Sequence, residues 1–134
     1  MSYTKSHVSP AEYHIQHMIY NSNIVKVPKP YTYDKNTSQL TMQLIPNMSI
    51  ADQYGEDFES VPSHIIEKIR EIIRILYYHG LEYPDITGYN FIEWNDDVWI
   101  IDFEHATYKG NVSSFDPFIL EFINGHEGWN PEFA

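Results

Sequence analysis

Aliphatic residues recur at helical spacing in the middle of the chain, between residues 62 and 78. Charged residues occupy the opposite face, which is the pattern of an amphipathic helix with one buried side. Pro62 stands near its start, and His79 and Gly80 follow its end, as is common at helix boundaries. We therefore predict a long helix over residues 62–78. The aliphatic positions are Ile65, Ile66, Ile69, Ile72, Ile73 and Leu76.

The first fifty residues show the pattern of a helix followed by strands. Ser9 can cap the helix and Glu12 completes a capping box, with a proline between them in the first turn, which predicts a helix to about residue 20. Apolar and polar residues alternate over residues 39–45, which predicts a strand. The preceding segment, 24–33, contains two prolines, so any strand there lies at a sheet edge.

A loop and a hairpin follow the long helix. Pro84 and Gly88 disfavour a helix in the loop. Two short apolar stretches, 91–94 and 98–101, are separated by the turn residues 95–97, which predicts an antiparallel hairpin. A hairpin brings the residue before its first strand and the residue after its second strand to the same end.

Composition places the chain among globular proteins. It has 134 residues, of which 43% are apolar and 16% aromatic, enough for one domain with a sizeable core. It has no Cys, which excludes a disulfide framework and thiol chemistry. No apolar run is long enough to cross a bilayer and the N-terminus has no apolar signal core, so we expect a cytoplasmic protein without membrane contact. The small size suggests a compact genome, such as that of a virus.

The negative charge is concentrated in the second part of the chain. The net charge is −11, and only two of the 19 acidic residues precede residue 51. A surface of this sign repels phosphate backbones, so nucleic acid is not expected as a partner. The acidic residues could attract a basic protein or a cationic small molecule, although solubility is the simpler explanation.

Two acids and an amide stand on either side of the predicted hairpin. Asp85 and Asn90 lie in the loop before it, and Asp102 follows the apolar stretch 98–101. A carboxylate at the end of a buried strand is costly unless a charged or hydrogen-bonding group meets it. One carboxylate and one amide oxygen suffice for Mg²⁺, which keeps several waters, and a separate carboxylate could serve an attacking hydroxyl. The alternative is that Asp85 and Asn90 only cap turns.

The segment DITGYN, residues 85–90, resembles the catalytic loop of protein-kinase-like enzymes, and IIDF resembles the strand and DFG segment that follow it. The resemblance implies that Asp85 is the catalytic base, which accepts or orients the proton of the substrate hydroxyl. It also implies that Asn90 and Asp102 bind Mg²⁺ and that the bound nucleotide is ATP.

Four positions depart from the usual kinase pattern. Tyr83 and Pro84 replace the His-Arg pair before the catalytic Asp. Glu104 replaces the Gly of DFG, and the resulting DFE is similar to that of the choline and aminoglycoside kinases. Thr87 replaces the usual Lys and resembles the Thr of very small atypical protein kinases. The resemblance is therefore to atypical members of the superfamily rather than to typical serine/threonine kinases.

The order of predicted elements implies an α+β, protein-kinase-like fold. Residues 1–134 form a single domain, in which 1–48 are a reduced N-lobe that ends in a hinge at 44–48. Residues 49–134 are a truncated C-lobe built mainly of the long helix, the catalytic loop and the hairpin. No Gly-rich phosphate loop precedes the first helix.

Typical kinases also hold the nucleotide through a strand lysine paired with a helix glutamate. Lys5 and Glu12 are the only residues in the right order, so the resemblance implies that they are cofactor-binding residues. Two observations oppose this role. Lys5 lies close to a terminus that we expect to be frayed, and Glu12 already has a place in the capping box.

A short helix is predicted over residues 115–123. Asp116 either caps this helix, directly before Pro117, or matches the kinase acid that braces the catalytic loop, and both interpretations stay open. The C-terminal segment GHEGWNPEF is rich in turn residues. We expect it to pack through Trp129 and Phe133 or to contact a partner.

Three functional classes are compatible with these features. The first is a miniature phosphotransferase that moves the ATP γ-phosphate to a hydroxyl of a protein or small molecule. The second is an inactive kinase-like module, or decoy, that binds a partner protein. The missing glycine loop favours the decoy, but a decoy has no physical need for Asp85, Asn90 and Asp102 together. The third is a metal-dependent hydrolase using Asp85, Asp102 and Glu104, which lacks histidine ligands in that region.

Overall fold

The computed structural model describes residues 1–133, which form a small antiparallel sheet with one helix above a larger, mainly helical part. In chain order the elements are β1 (Ser2–Lys5), α1 (Pro10–Ser22), β2 (Pro30–Asp34), β3 (Gln39–Gln43), α2 (Ile50–Tyr54), α3 (Ser63–Tyr78), β4 (Leu81–Glu82), β5 (Phe91–Trp94), β6 (Asp97–Ile100), β7 (Thr107–Tyr108) and α4 (Pro117–Ile123). This is an α+β arrangement, as the sequence predicts.

The three-stranded sheet has the order β1-β3-β2, so the strand predicted over residues 39–45 is its central member. β1 pairs antiparallel with β3, and Lys5 at its end lies opposite Leu40. The expectation of a frayed N-terminus is therefore wrong, because all four residues of β1 are held in the ladder. Periodicity could not predict β1, since its side chains are almost all exposed and show no alternation.

The proline-containing strand and the first helix agree with their predictions. β2 lies at the sheet edge with Pro30 as its first residue, where a missing N–H is tolerated. Ser9 caps α1, and its Oγ accepts the Glu12 N–H at 3.1 Å. The helix continues to Ser22, slightly further than predicted, and ends where Asn23 adopts a left-handed φ of 55°.

The predicted long helix is confirmed as α3, which supplies one wall of the main core. Its aliphatic side buries Ile65, Ile69 and Leu76, and α4 packs beside it. Side chains from the hairpin and from the loop before it complete the core, among them Tyr83 and Phe91. The loop that carries the candidate chemistry therefore rests on the larger of the two hydrophobic cores.

The predicted hairpin is confirmed as β5 and β6, which pair antiparallel with Trp94 opposite Asp97. The turn has two residues rather than three, because Asp97 already belongs to β6. Asn95 and Asp96 adopt left-handed φ values of 57° and 61°, as the tight two-residue hairpin turn requires.

Two features were not predicted because they are too short to show a period. β4 pairs antiparallel with β7, which places Leu81 opposite Tyr108. The short helix α2 is capped by Ser49, whose side chain accepts the Asp52 N–H. Among residues 1–133, no helix combines the length and the apolar character needed to span a membrane.

Candidate active site

The loop of residues 83–90, here called the Asp85 loop, is tied through Tyr83 to the segment after the hairpin. The Tyr83 hydroxyl donates to the carbonyl oxygens of Ile101 and Asp102, at 2.6 and 2.7 Å. Burial raises the pKa of Tyr83 well above its ordinary value, so the hydroxyl stays a neutral donor. The residue that replaces the usual kinase histidine thus holds the Asp85 loop against the DFE segment (residues 102–104).

Asn90 is fixed through both its side chain and its backbone. Its Nδ2 donates to the Asp85 carbonyl at 2.8 Å, and its own carbonyl accepts the Ile101 N–H at 2.9 Å. The second bond places Asn90 beside the residue that precedes Asp102. Within residues 1–133, nothing donates to the Asn90 Oδ1 and no buried side-chain oxygen lacks a partner, so this oxygen reaches solvent. Convergence of the Asn90 and Asp102 side chains on one Mg²⁺ stays a prediction.

Asp102 has a backbone conformation that is uncommon for a residue with a side chain, with φ at 61°. Its Oδ1 accepts the Glu104 N–H at 3.2 Å and lies 3.1 Å from the Lys5 Nζ. The carboxylate after the apolar strand is thus met by a charged group and by a hydrogen-bond donor, as its burial cost requires. Because the side chain is 33% exposed, it is also open to a ligand.

Lys5 connects the sheet, helix α1 and Asp102. Its Nζ lies 2.5 Å from the Glu12 Oε2, and the Glu12 side chain is only 3% exposed. Burial alone would lower the pKa of Lys5, but the hydrogen bond to Glu12 and the charge of Asp102 outweigh it and raise the pKa. Burial also raises the pKa of Glu12. The structure thus brings Lys5, Glu12 and Asp102 together in one ionic cluster.

The capping box predicted at the start of α1 is only half formed. Ser9 accepts the Glu12 N–H, but the Glu12 carboxylate is engaged by Lys5 instead of returning to the Ser9 backbone. The capping interaction therefore does not occupy the carboxylate. Since β1 is also ordered, both sequence-based objections to the Lys5–Glu12 pair are removed.

The Asp85 carboxylate lies next to His105, a residue that sequence reasoning missed. The Asp85 Oδ2 is 3.4 Å from the His105 Nδ1. Burial raises the pKa of Asp85, and hydrogen bonds with Asn90 and His105 partly offset that shift. A single histidine carries no spacing pattern, and its position directly after the DFE segment was the only available signal.

A cleft of about 290 Å³ opens between the sheet, the hinge and the hairpin. Its polar end is formed by Lys5 and Asp102, and apolar side chains line most of the rest. The sequence predicts the hinge at residues 44–48 but not the other lining residues, because they come from distant parts of the chain. The remaining lining residues are Tyr3, Pro28, Met42, Gln43, Leu44, Ile45, Asn47, Ile92 and Ile101.

Few side chains at the polar end of the cleft could serve as metal ligands. Among residues 1–133, no group of three or more His, Cys, Asp or Glu side chains could hold a metal ion. The three-carboxylate cluster of a metal-dependent hydrolase is therefore not formed in the part of the chain described. One carboxylate with one amide oxygen remains, which fits Mg²⁺ because this ion completes its shell with water and phosphate oxygens.

Asp116 combines the two roles that the sequence left open. Its Oδ1 accepts the Phe118 N–H at 3.0 Å, which caps α4. Its Oδ2 lies 3.3 Å from the Asn130 Nδ2, and the same nitrogen donates to the Pro84 carbonyl at 2.8 Å. Asp116 thus braces the Asp85 loop indirectly, through a C-terminal asparagine that sequence reasoning missed.

Comparison with solved structures identifies a similar fold in the Rio2 kinase of Chaetomium thermophilum, known from a crystal structure of its ADP/Mg²⁺-phosphoaspartate complex. The TM-score is 0.60 at 18% identity, over 85% of this chain and 34% of that one. The chain thus spans about a third of the length of this kinase. At such low identity the likeness concerns the fold, and it confirms the protein-kinase-like architecture.

The family model described as "RIO domain" matches residues 2–119. The match includes Lys5 and Glu12 as well as the Asp85 loop and the DFE segment, so it covers all the candidate site residues. It also agrees with the resemblance of Thr87 to the Thr of small atypical protein kinases. The chain belongs to the RIO domain family of atypical protein kinases.

Proposed function

We propose that this protein is an ATP- and Mg²⁺-dependent phosphotransferase that moves the γ-phosphate to a hydroxyl of a protein or small molecule. The observation that carries the proposal is Lys5, which bridges Glu12 and Asp102 at the polar end of an apolar cleft. A lysine held in this way places a positive charge where nucleotide phosphates would lie. Residues 1–134 act as one domain, with 1–48 as a reduced N-lobe and 49–134 as a truncated C-lobe.

The nucleotide base is expected in the apolar part of the cleft, between Met42 on the sheet and Ile92 and Ile101 on the hairpin side. The hinge residues Leu44 and Ile45 border the same space. The Leu44 N–H donates to the Met1 carbonyl and the Ile45 carbonyl accepts the Asn47 N–H, so among residues 1–133 the Leu44 carbonyl and the Ile45 N–H remain for a base edge. A small apolar cleft with few polar groups is the usual form of a nucleotide-sized ligand site. The phosphates would then point towards Lys5.

The oxygen atoms available as metal ligands support Mg²⁺ as the metal. The Asn90 Oδ1 and the Asp102 carboxylate would hold it, since both are hard oxygen ligands that reach solvent. Bound there, Mg²⁺ would offset the negative charge on the phosphate oxygens. Lys5 contacts and orients the Asp102 carboxylate, and Tyr83 fixes the backbone on which Asp102 stands.

Asp85 is the residue that would serve the acceptor hydroxyl. It accepts or orients the hydroxyl proton as the acceptor oxygen bonds to the γ-phosphorus and the bond to the ADP oxygen breaks. His105 is 3.4 Å away and keeps one carboxylate oxygen engaged, so that the other can face the acceptor. Positioning of this kind, rather than covalent chemistry, supplies most of the rate in phosphoryl transfer.

The second candidate is a kinase-like binding module without turnover. The observation that favours it is the lack of a glycine-rich loop: residues 1–9 contain no glycine, and β1 runs into α1 through a short connection. The chain also corresponds to only 34% of the Rio2 kinase, whose ADP and Mg²⁺ are properties of that protein.

Calorimetric titration with ATP, in the presence of Mg²⁺ and again with the metal chelated, tests the proposal. We expect binding that strengthens at least about tenfold with Mg²⁺, because the metal ligands act only when the ion is present. Release of ADP over time, with phosphate traced to protein or small-molecule hydroxyls, then measures transfer. No binding at millimolar ATP would leave the binding module as the function.

A further inference from the structure

The C-terminal segment of residues 126–133, here called the tail, packs beneath the Asp85 loop. It lies beyond residues 2–119, which the family model matches. Trp129 anchors it: the indole Nε1 donates to the Glu56 carbonyl at 3.1 Å, and the ring meets Phe58 edge-on at 5.0 Å. The packing expected for Trp129 therefore exists, and the next residue is in a position to act on the site.

Asn130 is 1% exposed, and its hydrogen bonds reach both sides of Asp85. Its backbone N–H donates to the Ile86 carbonyl at 3.0 Å, and its Nδ2 donates to the Pro84 carbonyl at 2.8 Å. The Nδ2 also lies 3.3 Å from the Asp116 Oδ2. One buried residue thus holds the peptide groups that flank the candidate base.

We propose that Asn130 is a positioning residue that fixes the backbone of the Asp85 loop and thereby the place of the Asp85 carboxylate. The catalytic meaning of this position rests on the proposed function. An apolar side chain could fill the same volume, but the buried Pro84 carbonyl would then keep only the Ile86 N–H, at 2.8 Å, and would lose its link to the tail. The Asn130 Oδ1 accepts the Glu132 N–H at 3.2 Å, so a turn of the tail itself holds the amide in orientation.

A second contact of the tail points to the same role. The Phe133 ring lies edge-on to His105, with centroids 5.0 Å apart, and His105 meets the Asp85 carboxylate. The tail therefore acts on the backbone of the base through Asn130 and on its carboxylate through His105. A segment that served only to cover the core would need Trp129 but neither of these contacts.

The experiment compares the wild-type protein of residues 1–134 with Asn130→Ala and with Asn130→Ser, whose hydroxyl can replace one of the two hydrogen bonds that the Nδ2 donates. Glu127→Gln is the matched control, since it changes an exposed side chain of the same tail. Hydrogen–deuterium exchange of a peptide covering residues 82–91 reports on the loop directly, and a peptide from α3 reports on the fold. Calorimetry gives the Kd for Mg²⁺-ATP, and ADP release gives kcat.

We expect Asn130→Ala to speed exchange in the loop peptide by about tenfold while α3 is unchanged, because a local rather than a global opening becomes easier. The kcat should fall by roughly 100-fold with little change in the Kd, since a misplaced base affects the reaction and not nucleotide binding. Asn130→Ser should lie between Asn130→Ala and wild type, and Glu127→Gln should match wild type.

Unchanged loop exchange in Asn130→Ala would overturn the proposal. Global unfolding of both Asn130 variants would also overturn it, because Asn130 would then support the whole domain rather than the loop. A wild-type protein without turnover would instead count against the phosphotransferase, and loop exchange would still decide the role of Asn130.

Discussion

The candidate site has two sides, here called its walls, which are held in place by different kinds of interaction. On the sheet side, Lys5 is fixed by ionic contacts to Glu12 and Asp102. On the opposite side, the Asp85 loop is fixed by neutral hydrogen bonds from Tyr83 and Asn130, both almost fully buried. Ionic contacts weaken with salt and can be redirected by a bound phosphate, whereas buried neutral bonds respond to neither. We therefore expect the Lys5 side to rearrange when a nucleotide binds. The Asp85 loop should have the same conformation before and after binding.

Asp102 belongs to both walls, so its charge is expected to matter most. Asp102→Asn should abolish Mg²⁺-dependent ATP binding, with a loss of more than about 100-fold, because the amide keeps the shape but loses the charge that holds the cation. The fold should persist. Calorimetry with Mg²⁺-ATP measures the loss, and Asp96→Asn in the exposed hairpin turn is the control. Wild-type affinity in Asp102→Asn would remove Asp102 from the metal site.

Asp85 stands on the neutral wall and should affect turnover without affecting binding. Asp85→Asn is expected to lower kcat by roughly two to four orders of magnitude, the usual contribution of a general base. The Kd for Mg²⁺-ATP should stay within about twofold of wild type, because Asp85 is not expected to contact the nucleotide. Steady-state rates and calorimetry on one preparation separate the two quantities. If turnover were unaffected, the base would be another residue.

The neutral wall can be weakened directly through Tyr83. Tyr83→Phe should lower the free energy of unfolding by about 1–3 kcal/mol, because two partly buried carbonyls lose the hydroxyl donor that they share. The loss should be the same in low and high salt. Urea denaturation measures it, and Tyr78→Phe makes the same chemical change on a side chain that is 75% exposed, where no effect is expected. A salt-dependent loss at Tyr83 would contradict the neutral character of this wall.

The ionic wall should show the smallest effect. Glu12→Gln keeps a hydrogen-bonding group beside Lys5, and Lys5 keeps Asp102 as an ionic partner. Because Glu12 is 3% exposed, removing its charge also removes a desolvation cost, so we expect the free energy of unfolding to fall by less than about 1 kcal/mol at low salt. At about 1 M salt the partly exposed Lys5–Asp102 contact should weaken, so the size of the difference should change with salt. The measurement is the same urea series. A loss at Glu12 as insensitive to salt as that at Tyr83 would erase the difference between the walls.

The sequence predicted those parts of the site whose pattern is local. Each of these parts can be recognised within a short stretch of sequence. They are the apolar face of α3, the turn of the hairpin, and the spacing of Asp85, Asn90 and Asp102. Their relative placement follows, because a hairpin must return its ends to the same side. The fold could accordingly be predicted from these elements, together with the family resemblance that they support.

The parts that could not be predicted depend on partners far away in sequence. β1 becomes a strand only because β3 lies beside it, and its own residues show no periodicity. Asn130 acts on Pro84 and Ile86, and nothing in the tail indicates which carbonyls its amide will meet. Glu12 was assigned to a capping box because the local pattern fits, yet its carboxylate has a closer partner in Lys5. Local sequence patterns thus identify the candidate catalytic residues but not the residues that hold them in place.

The left-handed backbone of Asp102 has a consequence for how such a protein can evolve. With φ at 61°, the residue occupies a region that glycine enters freely and that costs other residues on the order of 1 kcal/mol. Glycine would remove this backbone cost, but it would also remove the carboxylate that contacts Lys5 and that we propose as a cation ligand. Keeping the carboxylate at this position therefore carries a backbone cost, and that cost reduces the number of destabilising mutations that the protein can tolerate elsewhere.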